Sequence, residues 1–148
     1  MSPVKNHQEK VRLHPRNKNR ERYDLTALIT AIPELEDFVT PNKYGSDSVD
    51  FSNPKAVKLL NKALLHHYYG IENWDFPDEN LCPAIPGRAD YIHHVADLLD
   101  KHNNGSITCL DIGVGSSCIY PIIGATEYGW NFIGTDIDSN SIASAKVL

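Results

Sequence analysis

Long apolar runs are missing from this sequence of 148 residues. No stretch approaches the roughly 18 consecutive apolar residues of a membrane-spanning helix, so we expect no membrane partner. The N-terminal residues also lack the apolar core of a secretory signal. Cysteine is scarce: the three cysteines are odd in number and widely spaced, which predicts reduced thiols and a cytoplasmic location rather than a disulfide framework.

The chain has the composition of an ordinary globular protein, but its charge is unevenly distributed. Hydrophobic residues make up 41% and charged residues 22%, which is typical of a domain with a buried core. The net charge is −5, but residues 1–22 contain seven Lys or Arg against two Glu, which leaves −10 on the remainder. A basic, partly disordered arm over residues 1–22 is typical of nucleic-acid binding, although a solvated tail has the same composition.

Helical patterns fill the next part, residues 23–87. Asp24 is placed to cap a first helix, and Asn53-Pro54 has the cap and first-position residues of a second. Trp74 follows the second helix and is expected to pack in the core rather than to stack on a base. The histidine pairs at 66–67 and 93–94 are sequence neighbours that point to different sides of a helix, so no metal site is expected.

A helix is predicted over 88–102, after a Pro-rich connection at 75–87. Its apolar stripe is predicted to comprise Tyr91, Val95, Leu98 and Leu99. This helix opens the last part of the chain, 88–148, in which strand and helix patterns alternate as in an α/β fold.

The stretch most informative about chemistry begins with a buried strand over 107–112 and breaks at Gly113-Val-Gly115. A helix is predicted from about 117 to 128, and a second strand over 130–137 contains Asp136, 21 positions after Gly115. A Rossmann-like unit places a carboxylate on ribose hydroxyls at about this spacing. The pattern predicts a nucleoside pocket at the carboxyl ends of two parallel strands. A tight strand-to-helix turn without a ligand is the alternative.

The stretch Leu110-Asp-Ile-Gly-Val-Gly resembles the first motif of the Rossmann-like methyltransferases, hydrophobic-Asp-x-Gly-x-Gly. This resemblance implies S-adenosylmethionine (SAM) as the cofactor and includes Asp111 in the binding motif. It also implies that Gly113 and Gly115 approach the amino-acid part of SAM and that Asp136 binds the ribose diol. The expected fold is α/β: the start of a Rossmann-like methyltransferase sheet, preceded by a mainly helical N-terminal extension.

Longer stretches resemble one family within that fold, the 23S ribosomal RNA adenine-N6 methyltransferases. They begin His14-Pro-Arg-Asn, Ser48-Val-Asp-Phe and Cys82-Pro-Ala-Ile-Pro-Gly-Arg, and they occur in this order before the glycine motif. The resemblance implies a SAM-dependent enzyme that methylates N6 of an adenine in structured RNA, with large-subunit ribosomal RNA as the expected substrate. It places Arg88 near the cofactor. The alternative is that Arg88 is a helix-start residue that pairs with Asp90 or with solvent. It also assigns RNA binding to four residues of the arm: Arg16, Lys18, Arg20 and Arg22.

The chain departs from this family in one respect. Amino-methylating relatives align the adenine amine with an Asn/Asp-Pro-Pro-aromatic motif, and no Pro-Pro occurs in this sequence. We therefore predict no catalytic residue in this chain, which reads as the N-terminal portion of the enzyme, inactive alone and able to associate with itself. One alternative is a non-catalytic RNA-binding or regulatory module with a vestigial nucleoside pocket. A methyltransferase for proteins or small molecules is another.

Overall fold

A computed structural model describes residues 12–99 and 105–148. The helices and strands follow the chain in this order: α1 Leu25–Ala31, a 3-10 helix Pro33–Phe38, β1 Val39–Pro41, β2 Asp47–Val49, α2 Pro54–Tyr69, α3 Ile85–Leu99, β3 Thr108–Ile112, α4 Ile119–Tyr128, β4 Asn131–Thr135 and α5 Ser139–Ala145. The buried apolar side chains form one cluster that extends from Leu28 to Trp130, so the helical extension and the α/β unit share a core.

The ends of the helices in the extension follow from local capping. The side chain of Asp24 accepts a hydrogen bond from the amide of Ala27, and Asn53 caps α2 with Pro54 at its first position. Helix α2 ends at Gly70, whose φ of +69° is the left-handed conformation that suits glycine. β1 and β2 form a short antiparallel hairpin between the 3-10 helix and α2.

The α/β unit is a parallel pair of strands connected by α4. Leu110 lies opposite Ile133, and Asp111 lies opposite Gly134. Helix α4 packs against β4, where Gly124 allows the ring of Phe132 to approach the helix backbone. This arrangement is the predicted strand, helix, strand order, and it brings the ends of β3 and β4 to the same edge.

Helix α3 differs from its prediction in start and in buried face. It begins at Ile85, three residues early, because a proline in the first turn costs no helical hydrogen bond. Tyr91 and Leu98 are 57% and 69% exposed, so the predicted stripe is wrong at these positions. The buried face instead carries five other residues: Ile85, Ala89, Ile92, His93 and Ala96. Helix α3 packs against α4, and His93 is hydrogen-bonded to Tyr128 of that helix.

Two absences hold for residues 12–99 and 105–148, the part of the chain that the structure describes. No helix in these ranges is long and apolar enough to cross a membrane. The same ranges contain no group of three or more His, Cys, Asp or Glu side chains arranged to hold a metal ion. The end of the helix predicted to reach residue 102 lies outside the described residues.

Candidate nucleoside-binding site

The glycine turn after β3 is fixed to the neighbouring strand. Gly113 and Gly115 have φ values of +80° and +67°, which favour glycine. The amides of Gly113 and Val114 both donate to the carbonyl oxygen of Thr135, at 2.8 and 2.9 Å. Val114 is buried between the two glycines and lies against Gly134, where a Cβ would come within 3.2 Å of it. The turn therefore anchors the backbone while both glycines remain at the sheet edge.

Asp136 meets this turn directly. Its Oδ2 accepts a hydrogen bond from the amide of Gly115 at 2.9 Å, and its Oδ1 accepts one from the amide of Asp138 at 3.0 Å. These two amides lower the pKa of Asp136, so the carboxylate is charged at neutral pH. The glycine turn and the strand-end acid, separated by 21 residues in sequence, are adjacent in space.

Asp111 is the second acid at this edge, and its environment has the opposite effect. Burial raises the pKa of Asp111, and the negative charge of Asp136 raises it further. Among the described residues no hydrogen-bond partner reaches its buried Oδ2. A buried carboxylate oxygen without a partner is costly, which makes it a candidate to bind a donor group of a ligand.

Arg88 lies in the first turn of α3 and is linked to the start of α4. Its guanidinium donates to the hydroxyl of Tyr120 at 2.9 Å, and its Cζ lies 5.5 Å from the centre of that ring. Asp90 accepts hydrogen bonds from His14 and Asn17, so the alternative of an Arg88–Asp90 pair finds no support here. The hydroxyl of Tyr120 occupies one of five guanidinium donors, and four remain.

The predicted RNA arm is described from residue 12 onward, and this part packs on α3 and α4. Arg16 pairs with Asp97 and also donates to the hydroxyl of Tyr128 and the carbonyl of His93. Lys18 pairs with Glu127. Arg20 is half-buried and engaged, whereas Arg22 is exposed and borders a groove with Tyr44 and Phe51. Residues 1–11, the rest of the predicted arm, lie outside the described residues.

Sequence reasoning missed the buried polar residues of this segment. His14, Asn17 and Asn19 are 6%, 3% and 1% exposed. The amide of Asn17 donates to the carbonyl of Pro86, and that of Asn19 donates to the hydroxyl of Tyr69. The available signal was the alternation of His and Asn with basic residues, because amide side chains satisfy buried backbone groups. The role in RNA binding of the four predicted arm residues stays a prediction.

Comparison with known proteins shows the family of the chain. A family model described as RNA methyltransferase matches residues 7–148. The chain belongs to this RNA methyltransferase family. It is 60% identical over 146 residues to the ribosomal RNA large subunit methyltransferase F of Yersinia pestis bv. Antiqua (strain Angola), covering 95% of this chain. The chain spans 44% of the length of that relative.

Solved structures of RNA methyltransferases confirm the predicted α/β methyltransferase fold. The N-terminal domain of human METTL16 in complex with SAH has a TM-score of 0.83 and 36% identity, over 91% of this chain and 53% of that one. The hMettl16 catalytic domain in complex with MAT2A 3'UTR hairpin 6 has a TM-score of 0.81 and 36% identity, over 91% and 48%. The match includes the helical extension as well as the α/β unit.

Proposed function

We propose that this chain forms the cofactor-binding part of a SAM-dependent methyltransferase acting on N6 of an adenine in structured RNA, with large-subunit ribosomal RNA as the substrate. The observation that carries this proposal is the hydrogen bond from the Gly115 amide to Asp136 Oδ2. It supports a pocket in which backbone and carboxylate face one ligand. Relatives named as ribosomal RNA methyltransferases support the substrate class, and that substrate favours a cytoplasmic location.

The predicted site residues fit SAM on chemical grounds. Asp136 uses one lone pair on each oxygen, so both oxygens retain acceptor capacity for the ribose hydroxyls. The Oδ2 of Asp111, which has no partner among the residues that the structure describes, suits the ammonium group of the methionine part. Arg88 retains guanidinium donors for the methionine carboxylate. Gly113 and Gly115 leave open space where a side chain would otherwise stand.

SAM, when bound, supplies an electrophilic methyl group on a cationic sulfur. The residues of this chain bind and orient that donor: Asp136 fixes the ribose, and Arg88 and Asp111 hold the two charged groups of the amino acid. Alignment of the adenine amine requires an Asn/Asp-Pro-Pro-aromatic motif, which this sequence does not contain. We propose that this chain supplies binding and orientation and no group for the transfer itself.

Self-association of this chain is a separate proposal and rests on the sheet. Leu110, Ile112 and Ile133 are 61%, 80% and 58% exposed and occupy alternate positions of the two strands. Alternate residues of a strand lie on one face, so these side chains form an exposed apolar patch. A sedimentation coefficient that rises with protein concentration would support association through this patch.

Calorimetric titration of SAM into the protein tests the pocket. Asp136→Asn removes the negative charge that would bind the ribose diol. We expect this variant to bind SAM at least about tenfold more weakly, which corresponds to the loss of one or more charge-assisted hydrogen bonds. Asp138→Asn is the matched control, because it removes one charge two residues away while asparagine still caps α5. Equal affinity of both variants, or no binding by the unaltered protein, would contradict the proposal.

The substrate is tested by methylation of ribosomal RNA in a form of the protein that carries the amine-aligning motif. We expect N6-methyladenine as the product. If the adenine amines stay unmodified while another base gains the methyl group, the substrate assignment is wrong. Methylation of a protein or small molecule instead of RNA would favour the alternative class of methyltransferase, and RNA binding without SAM binding would favour a non-catalytic module.

A further inference from the structure

Trp74 connects the helical extension to the loop of the candidate site. It lies in the connection between α2 and α3, is 1% exposed, and packs against Phe76 with ring centres 5.0 Å apart. Its indole Nε1–H donates to the carbonyl oxygen of Ser117 at 2.8 Å. A buried indole needs an acceptor, and this one is 43 residues away, at the point where the glycine loop enters α4.

The loop that receives this hydrogen bond has an unfavourable backbone conformation at its end. Cys118 has φ +51° and is the one residue other than glycine with a positive φ among the residues that the structure describes. A left-handed conformation is unfavourable for a residue with a side chain, so surrounding contacts must maintain it. Within the described part of the chain, the Cys118 side chain makes no capping hydrogen bond at the start of α4.

Two side chains hold consecutive carbonyls of this loop. The hydroxyl of Ser144, on α5, donates to the carbonyl of Ser116 at 3.0 Å, and Trp74 holds the carbonyl of Ser117. Because each peptide unit is planar, a held carbonyl fixes the orientation of the whole unit. Ser144 acts from within the α/β unit, whereas Trp74 acts from the extension.

We propose that Trp74 is a positioning residue for the candidate site: its indole holds the Ser117 carbonyl and maintains the loop 113–118 in the shape that accepts a nucleoside cofactor. This inference rests on the proposed function, because the ligand is the same. It gives the extension a role in cofactor binding in addition to its place in the shared core. The indole N–H is the group that matters, since the ring alone could pack without fixing the loop.

The experiment compares Trp74→Phe with Trp130→Phe. Both remove one indole from the core, and Trp130, 7% exposed, packs through ring contacts with Tyr128 and Phe132. We expect Trp74→Phe to raise the Kd for SAM about 3- to 10-fold, the range for the loss of one net hydrogen bond. We also expect it to speed amide hydrogen exchange of residues 117–119 without SAM. Trp130→Phe should leave both quantities within about twofold of the unaltered protein, a margin of roughly 0.4 kcal/mol.

The outcomes separate this inference from the proposed function. If Trp74→Phe has the same exchange rates and Kd as the unaltered protein, or if Trp130→Phe changes both equally, the positioning role is overturned. If the unaltered protein binds no SAM, the proposed function fails, and the exchange comparison alone then decides whether Trp74 holds the loop. Denaturant unfolding of both variants checks that a difference in Kd is not a difference in stability.

Discussion

Individual residues at the sheet edge owe their properties to what surrounds them. Asp111 and Asp136 are the same amino acid at the same edge, yet burial raises the pKa of the first, whereas two backbone amides lower that of the second. Both side chains are partly buried. Under the proposed function, Asp136, whose oxygens accept from backbone amides, binds the diol, and Asp111 binds the positively charged group. Two carboxylates in different environments can thus bind different parts of one ligand.

Gly115→Ala is predicted to lower the free energy of unfolding by about 1–2 kcal/mol, because alanine is strained at a φ of +67°. Open space surrounds the position, so backbone strain rather than a clash is the cause. Gly87→Ala is the control: it also meets open space, lies within α3, and should stabilise the helix by about 0.5–1 kcal/mol. Urea unfolding measures both, and equal effects would contradict the assignment of strain.

At the scale of elements, the described part of the basic arm is a packed segment. Arg16 and Lys18 pair with acids on α3 and α4, and the neighbouring polar side chains are buried. Such pairs reduce the charge that these residues present to phosphate, whereas Arg22 remains exposed. Arg16 and Lys18 therefore differ from Arg22 in their environment, and composition alone does not show this difference.

Arg16→Ala and Arg22→Ala are predicted to have different effects. Arg16→Ala should lower the free energy of unfolding by up to about 1 kcal/mol, since its pair with Asp97 is half exposed. Arg22→Ala should leave stability unchanged but weaken RNA binding. It should also reduce the slope of the logarithm of the binding constant against the logarithm of the salt concentration by about one. Binding of a large-subunit ribosomal RNA fragment, titrated at several salt concentrations, measures this. If Arg16→Ala weakened RNA binding at unchanged stability, Arg16 would be an RNA contact instead.

At the scale of the whole molecule, residues far apart in sequence tie the N-terminal segment to the core. Asp97 accepts hydrogen bonds from His14, 83 residues away, and from Arg16, 81 residues away. These bonds lower the pKa of Asp97 from an ordinary value of 3.8 to about 2. A contact that closes so long a loop links local protonation to the stability of the whole fold.

Acid should therefore weaken the fold through Asp97. Because its pKa is lower in the folded state, its contribution to stability is complete above pH 3.8 and is lost as the pH falls through about 2. We expect Asp97→Asn to be less stable than the unaltered protein at pH 7 and to lose less stability between pH 4 and 2. Urea unfolding across this range measures the difference. Asp37→Asn, an exposed acid of the 3-10 helix, is the control and should follow the unaltered protein.

Local patterns predicted much of the architecture and the proximity of the glycine turn to Asp136. Capping residues such as Asp24 and Asn53 act on their own backbone, so the sequence alone located two helix starts. Asp138 caps α5 in the same way. The spacing of Gly115 and Asp136 was informative because neighbouring parallel strands end at one edge.

Tertiary packing decided what local patterns could not. The buried face of α3 depends on which neighbours approach it. The apolar stripe that includes Tyr91 and Leu98 is therefore partly exposed, whereas a face with two alanines and His93, which is hydrogen-bonded to α4, is buried. Whether an arm arginine is free or paired depends on an acid some 80 residues away. The hydrogen bond of Trp74 to Ser117 likewise joins segments 43 residues apart. The sequence by itself determined the elements and the cofactor-type motif, because these depend on short-range geometry. Only the folded chain decided the partners of each polar side chain, because these depend on long-range contacts.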